Sequence, residues 1–167
     1  DRGKSYDPSL YAHGDASFQG KVRVSLEGVS EKVYASCDIS GIGSAWKKFS
    51  CDLTAGAADP HARLVICALS TGTVWLDVVS LFPAATFMNR PGGLRKDIAE
   101  KIAAVHPGFI RFPGGCIVEG ANLNNRIKWF NTIGDISARP GHWDLWGYHT
   151  TDGVGFQEYL QFAEDLH

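Results

Sequence analysis

The sequence contains neither a cluster of basic residues nor a long apolar run. The formal net charge is −2, and without clustered Lys or Arg we expect no nucleic-acid partner. No apolar stretch approaches the length of a bilayer span and no signal peptide is recognisable, so we expect no membrane partner. The chain begins at Asp1 rather than Met, which indicates a processed or truncated N-terminus.

Cysteine is scarce, and the four cysteines do not form a metal-binding pattern. Cys37, Cys51, Cys67 and Cys116 include no Cys-x-x-Cys pair, so we expect no zinc site. Nothing indicates a nucleotide, flavin or haem, and we expect no cofactor. Cys37 and Cys51 form a disulfide across neighbouring strands if the protein is secreted, or remain half-buried thiols. The residues leave both alternatives open.

The first half of the chain has the pattern of a β-sandwich. Apolar residues make up 44% of the sequence and charged residues 20%, which is enough for a buried core. Val22, Val24 and Leu26 alternate with polar residues, and further strand-like runs separated by turn residues follow. The runs 62–69 and 73–81 are more continuously apolar, which predicts central strands covered on both faces.

The spacing of apolar residues changes from strand-like to helical after Pro83. Apolar residues at helical spacing predict an amphipathic helix, and these are Leu94, Ile98, Ile102 and Val105. A short strand at 109–112, a long loop from about 114 to 151 and a second helix capped by Asp152 are predicted to follow. This alternation is typical of a parallel α/β sheet or barrel, which a single strand cannot form. We therefore expect the second half to belong to a larger α/β unit.

The segment Arg111-Phe112-Pro113-Gly114-Gly115 carries the strongest functional signal. It joins the predicted strand to a tight turn, and Cys116 and Glu119 lie just beyond it. Functional groups on a loop that follows a strand are how barrel enzymes build their sites. The planar guanidinium of Arg111 suits sugar hydroxyls or a catalytic carboxylate, and the alternative is a structural ion pair.

An ordered series of motifs across residues 79–167 resembles the α-L-arabinofuranosidases of glycoside hydrolase family 51. After the segment 109–116, the series continues with Val118-Glu119-Gly120, Thr132-Ile133-Gly134, Arg139-Pro140-Gly141-His142, Trp146-Gly147-Tyr148 and Thr151-Asp152-Gly153. The preceding half resembles the carbohydrate-binding-module-like sandwich of plant and fungal members. The resemblance thus implies a multidomain β plus α/β protein, with a β-sandwich at 1–83 and part of a (β/α)8 barrel at 84–167.

The same resemblance implies the activity. Members of the family are retaining, exo-acting enzymes that remove terminal arabinofuranosyl residues from arabinoxylan and arabinan, by means of two glutamates. The family's acid/base stands in an Asn-Glu pair, and this chain contains none. We therefore expect no catalytic residue on this chain. We expect a second polypeptide, or missing residues, to supply the rest of the barrel and the catalytic pair.

The resemblance also assigns substrate-binding residues. Arg111 and Cys116 correspond to positions that line the arabinose subsite, and Glu119 is interpreted as a residue that shapes it. Trp146 and Tyr148 are candidates for the aglycone side, where sugar faces pack on aromatic rings. The expected ligand is an arabinose-containing polysaccharide, and the expected location is extracellular. No Asn-x-Ser/Thr sequon supports secretion independently.

Two interpretations concern other ring-bearing residues. Trp46 and Trp75 are assigned to the core in preference to a sugar-stacking surface, since tryptophan in a small sandwich is more often core. His142 and His149 are interpreted as hydrogen-bonding loop residues and not as metal ligands, so no metal is expected. The alternative function is a non-catalytic carbohydrate-binding protein in which the sandwich holds the polysaccharide.

Overall fold

Two antiparallel sheets make up most of the first part of the chain in the computed structural model, which describes residues 1–167. Their strands are β1 (Ser5–Gly14), β2 (Val22–Glu27), β3 (Val33–Ile39), β4 (Lys47–Ser50), β5 (Leu53–Thr54), β6 (Arg63–Ala68) and β7 (Val74–Pro83). In one sheet, β1 pairs with β7 and also with β4 and β5; in the other, the order is β3-β2-β6. All of these pairings are antiparallel.

The two sheets share one hydrophobic core. Alternation places Leu10 and Ala12 of β1 on the buried face, and Val22 and Val24 of β2 are equally inaccessible to solvent. These side chains belong to a single cluster of buried residues. The alternation of Val22, Val24 and Leu26 in the sequence therefore predicted the inward face of β2 correctly, whereas β1 was not predicted.

The prediction that the continuous apolar runs form central strands was wrong. The central strands are β1 and β2, whereas β6 lies at a sheet edge and β7 pairs only with β1. Trp75 of β7 is 45% exposed and Trp46 is 51% exposed, so their assignment to the core was also wrong. An apolar run reports how many apolar residues a strand holds, but the strand order depends on pairing between distant segments.

Cys37 and Cys51 form a disulfide, which resolves the alternatives that the sequence left open. Cys37 lies on β3 of one sheet, and Cys51 directly follows β4 of the other. The bond therefore joins the two layers of the fold covalently. Cys67 and Cys116 are free and exposed.

The second part of the chain is helical and loop-rich. Its elements are α1 (Lys96–Ala103), α2 (Cys116–Glu119), β8 (His142–Trp143), β9 (His149–Thr150) and α3 (Phe156–Leu166). Short 3₁₀ turns occur at Phe87–Asn89, Trp129–Thr132 and Ile136–Ala138. By contact density the chain divides into two units, Asp1–Ala99 and Glu100–His167. No helix has the length and apolar character needed to cross a membrane.

Two local predictions for this part were wrong. Residues 109–112 do not form a strand, because a strand needs a hydrogen-bonded neighbour and none pairs with this segment. Asp152 does not cap α3; the cap residue is Gly155. The carboxylate of Asp152 instead lies 3.2 Å from Nδ1 of His142.

Candidate functional site

Arg111 presents an exposed guanidinium above a glycine turn. A Cβ at Gly114 would lie 2.7 Å from Nε of Arg111, so the side chain lies directly over the backbone of this glycine. The adjacent Phe112 ring stacks on Tyr159 of α3, with centroids 4.1 Å apart and planes 16° from parallel. No carboxylate of this chain lies within ion-pair distance of Arg111. The structural ion pair considered from the sequence is therefore not formed within the chain.

The turn leads directly into α2, where two other predicted site residues lie. Gly115 adopts φ 64°, a left-handed conformation that favours glycine, and Cys116 begins the helix. The Cys116 thiol and the Glu119 side chain are both exposed. At the other end, a Cβ on Gly120 would meet the backbone nitrogen of Arg126 at 2.7 Å. Gly115 thus supplies the left-handed conformation before this single helical turn, and Gly120 permits the tight backbone approach after it.

Trp146 and Tyr148 form a pair on the loop between β8 and β9. Their rings are nearly parallel, with centroids 6.5 Å apart and planes 18° from parallel, and both are more than half exposed. Buried Asp144 positions them, because its carboxylate accepts from the Trp146 N–H while its own N–H donates to the Tyr148 carbonyl. The negative charge of Asp144, with burial and a hydrogen bond, raises the pKa of the Tyr148 hydroxyl. The loop therefore holds an exposed aromatic surface in a defined orientation.

The structure thus divides the predicted site residues into two groups. Arg111, Cys116 and Glu119 lie on and beside the glycine turn, and no ring contact or hydrogen bond joins them to the Trp146–Tyr148 pair. Each group is exposed on the same unit of the chain, Glu100–His167.

A buried arginine that sequence reasoning treated only as part of a motif organises this unit. The Arg139 side chain is 2% exposed and forms a bidentate pair with Glu158 of α3, at 2.7 and 3.1 Å. The guanidinium also donates to the carbonyls of Gly134 and Asp152. Burial favours the neutral form of Glu158, but the bonds from Arg139 and the Gly155 N–H outweigh it and lower the pKa of that carboxyl. The one sequence signal was the motif Arg139-Pro140-Gly141-His142.

Trp46 and Trp75 also form an exposed surface, in the first unit. The His13 ring stacks on Trp75, with centroids 4.5 Å apart and planes 4° from parallel, and contacts Trp46 edge-on at 4.4 Å. No group of three His, Cys, Asp or Glu side chains anywhere in the chain is arranged to hold a metal ion.

Comparison with known proteins gives consistent matches. Residues 101–167 match the family model described as the alpha-L-arabinofuranosidase 1 domain. The chain is 39% identical to alpha-L-arabinofuranosidase 1 of Arabidopsis thaliana, over 99% of this chain and 25% of that protein. It is 35% identical to an extracellular exo-alpha-L-arabinofuranosidase of Streptomyces chartreusis, over 99% of this chain and 21% of the relative.

A solved structure agrees with these sequence matches. The arabinose-bound MgGH51 α-L-arabinofuranosidase superposes with a TM-score of 0.86 and 39% identity, over 98% of this chain and 27% of that one. The resemblance to glycoside hydrolase family 51 is confirmed. The chain nevertheless spans only about a quarter of the length of these arabinofuranosidases. It corresponds to their N-terminal portion.

Proposed function

We propose that this chain is part of a retaining, exo-acting α-L-arabinofuranosidase that removes terminal arabinofuranosyl residues from arabinoxylan and arabinan. The observation that carries the proposal is the exposed, unpaired guanidinium of Arg111 above the Gly114-Gly115 turn, in a segment that matches the arabinofuranosidase family model. In this proposal residues 1–83 are a carbohydrate-binding-module-like sandwich, and residues 84–167 are part of a (β/α)8 barrel.

Each predicted site residue has a role in this proposal. Arg111 donates to sugar hydroxyls or orients a catalytic carboxylate, for which its fork of N–H donors is suited. Cys116 lines the arabinose subsite, and Glu119 shapes that subsite. Trp146 and Tyr148 pack against the aglycone, since apolar sugar faces stack on aromatic rings.

The catalytic glutamates lie outside this chain in the proposed enzyme. A second polypeptide, or further residues of a longer one, supplies the rest of the barrel and both carboxyl groups, about 5 Å apart as retention requires. The enzyme is secreted. The disulfide between Cys37 and Cys51 supports this location, because such bonds persist in oxidising compartments.

The test is hydrolysis of an aryl α-L-arabinofuranoside by the complete enzyme, with the 167-residue chain assayed alongside. We expect activity only when the remainder of the barrel is present. Arg111→Ala in the complete enzyme is expected to lower kcat/KM by about 10–100-fold, the loss typical of a hydrogen bond from a charged group. The matched control is Arg95→Ala, because Arg95 is exposed and pairs only with exposed Asp97. Full activity of the 167-residue chain alone, or of Arg111→Ala, would overturn the proposal.

A second candidate function is carbohydrate binding by the sandwich without catalysis. The observation that favours it is the exposure of Trp46 and Trp75, with His13 in ring contact with both. Stacked aromatic faces at a surface suit the apolar faces of sugar rings, whereas buried rings do not.

This candidate is tested by binding of the full chain to insoluble arabinoxylan. Retention that is lost in Trp46→Ala and Trp75→Ala supports it, with Trp143→Ala as the control because Trp143 is an exposed tryptophan of the other unit. Equal retention of all variants, or no retention of the unsubstituted chain, rules out this surface as the binding site.

A further inference from the structure

A small polar cavity lies within the second unit, apart from the Arg111 turn. Its volume is about 90 Å³, and its polar lining consists of Asn124, Arg126, Lys128, Asn131, His142 and Asp152. That volume suits a few water molecules or one small anion.

Two buried nitrogen atoms that line this cavity have no hydrogen-bond partner. They are Nε of Arg126 and Nε2 of His142. The His142 side chain is only 10% exposed. Buried polar atoms are almost always paired, so two unpaired ones on the same cavity point to one missing partner that satisfies both.

Hydrogen-bond chemistry restricts what that partner is. Arg126 Nε–H can only donate. The Nδ1 of His142 lies 3.2 Å from the Asp152 carboxylate, so the proton of a neutral ring is on Nδ1. Its Nε2 is then an acceptor. One partner that satisfies both nitrogens therefore accepts from Arg126 and donates to His142.

The charges that face the cavity favour an anion. Arg126 and Lys128 are positive, and Asn124 and Asn131 add amide donors. Asp152 is the only carboxylate of the lining, and its Oδ2 faces His142 Nδ1. The two positive charges and the one negative charge of the lining leave one uncompensated positive charge.

We propose that this cavity is a binding site for a small oxyanion that also carries a hydroxyl group, which accepts from Arg126 Nε–H and donates to His142 Nε2, with Lys128 contributing charge. An acidic sugar and inorganic phosphate in its hydrogen phosphate form share this chemistry. The inference does not depend on the proposed arabinofuranosidase activity, since it concerns binding alone.

The test is a titration of the full 167-residue chain with glucuronate, with inorganic phosphate and with neutral arabinose, followed by NMR of the backbone amides and the His142 ring nitrogens. We expect saturable shifts at residues 126, 128 and 142 with glucuronate or phosphate, including a shift of the Nε2 resonance of the His142 ring. Saturation by glucuronate alone identifies an acidic sugar as the source, and saturation by phosphate identifies a free anion.

Amino-acid substitutions distinguish specific binding in the cavity from non-specific electrostatic attraction of the anion. Arg126→Gln and Lys128→Gln are each expected to weaken anion binding about tenfold or more. Lys101→Gln, which removes one exposed positive charge from the same unit, is expected to leave it unchanged. Absence of saturation, equal binding of arabinose, or equal losses in all three variants would overturn the proposal and leave a cavity that holds ordered water only. If Arg126→Gln does not fold, the anion affinities of Lys128→Gln and Lys101→Gln are compared instead, and equal affinities would overturn the proposal.

Discussion

Arg139 joins three backbone segments through one buried guanidinium. Its partners are the carbonyls of Gly134 and Asp152 and the carboxylate of Glu158 on α3. A buried cation is tolerated only when its N–H groups are paired with acceptors, and here both the carboxylate and the carbonyls supply them. The path of the loop before α3 therefore depends on this single side chain.

Removal of the carboxylate is expected to destabilise the second unit. Glu158→Gln deletes the charge that pairs with buried Arg139, and we expect a loss of about 1.5–3 kcal/mol in the free energy of unfolding. Urea denaturation of the full chain measures it. Asp97→Asn is the control, because its pair with Arg95 is exposed on both sides and should cost at most about 1 kcal/mol. Equal losses of unfolding free energy in Glu158→Gln and Asp97→Asn would contradict the conclusion that burial strengthens the Arg139–Glu158 pair.

Asp15 contributes to the loss of folding stability at acidic pH. Its carboxylate accepts from the Ser17 hydroxyl and from the backbone N–H groups of Ser17, Phe18 and Thr73. The Ser17 hydroxyl makes the largest contribution, and together these bonds lower the pKa of Asp15 from 3.8 to about 2. A lowered pKa stabilises the fold above about pH 4, and that contribution is lost as the pH falls toward 2.

Asp15→Asn should therefore change the pH dependence of stability as well as its level. The variant does not titrate at this position, so we expect it to lose less stability than the parent chain between about pH 4 and 2. Urea denaturation at a series of pH values measures the difference. Parallel stability curves for the two proteins would contradict this assignment.

At the scale of elements, the start of α3 shows how a helix is positioned by residues outside it. The Thr132 hydroxyl accepts from the Phe156 N–H, and the Glu158 carboxylate accepts from the Gly155 N–H. A Cβ at Gly155 would clash with the Thr132 carbonyl oxygen, so the approach requires glycine. The 3₁₀ turn that ends at Thr132 is therefore hydrogen-bonded to the first turn of α3.

The disulfide is an element-scale constraint with a measurable contribution. Cys37 and Cys51 are 14 residues apart, and a closed loop of that length stabilises a fold by about 3 kcal/mol. We expect the double variant Cys37→Ser/Cys51→Ser to lose about this amount in urea denaturation. Cys67→Ser, which removes an exposed free thiol, is the control and should be nearly neutral. A double variant as stable as the parent chain would show that the bond does not restrain the unfolded chain.

At the scale of the whole molecule, the second unit exposes many large apolar side chains. They include Ile102, Val105, Phe109, Val118, Leu123, Trp129, Phe130, Ile133 and Leu160. Exposed apolar surface of this extent is typical of an interface. In the proposed enzyme the remainder of the barrel covers it.

The intact mass of an active preparation, measured under denaturing and reducing conditions, tests this whole-molecule proposal. We expect a second, larger polypeptide beside the 18.1 kDa chain, or one longer polypeptide that contains it. Activity from a preparation that contains only the 18.1 kDa species would contradict the assignment of the catalytic pair to another part of the enzyme.

The sequence by itself determined the properties that depend on local order. Alternation predicted the inward face of β2, and helical spacing predicted α1 and α3, because these periods repeat within one element. The series of short motifs predicted the resemblance to arabinofuranosidases, and the matches to these proteins confirmed that resemblance. The five predicted substrate-binding residues stay predictions.

The tertiary structure alone decided which distant residues meet. Arg139 and Glu158 are 19 positions apart, and His142 and Asp152 are 10 apart. Neither pair follows a strand or helix period, because the loop between the partners determines their distance. Local sequence periods also do not determine that β1 and β2 are central, that Trp46 and Trp75 are exposed, or that Cys37 forms a disulfide with Cys51. Each of these depends on how segments far apart in the sequence pack together in space.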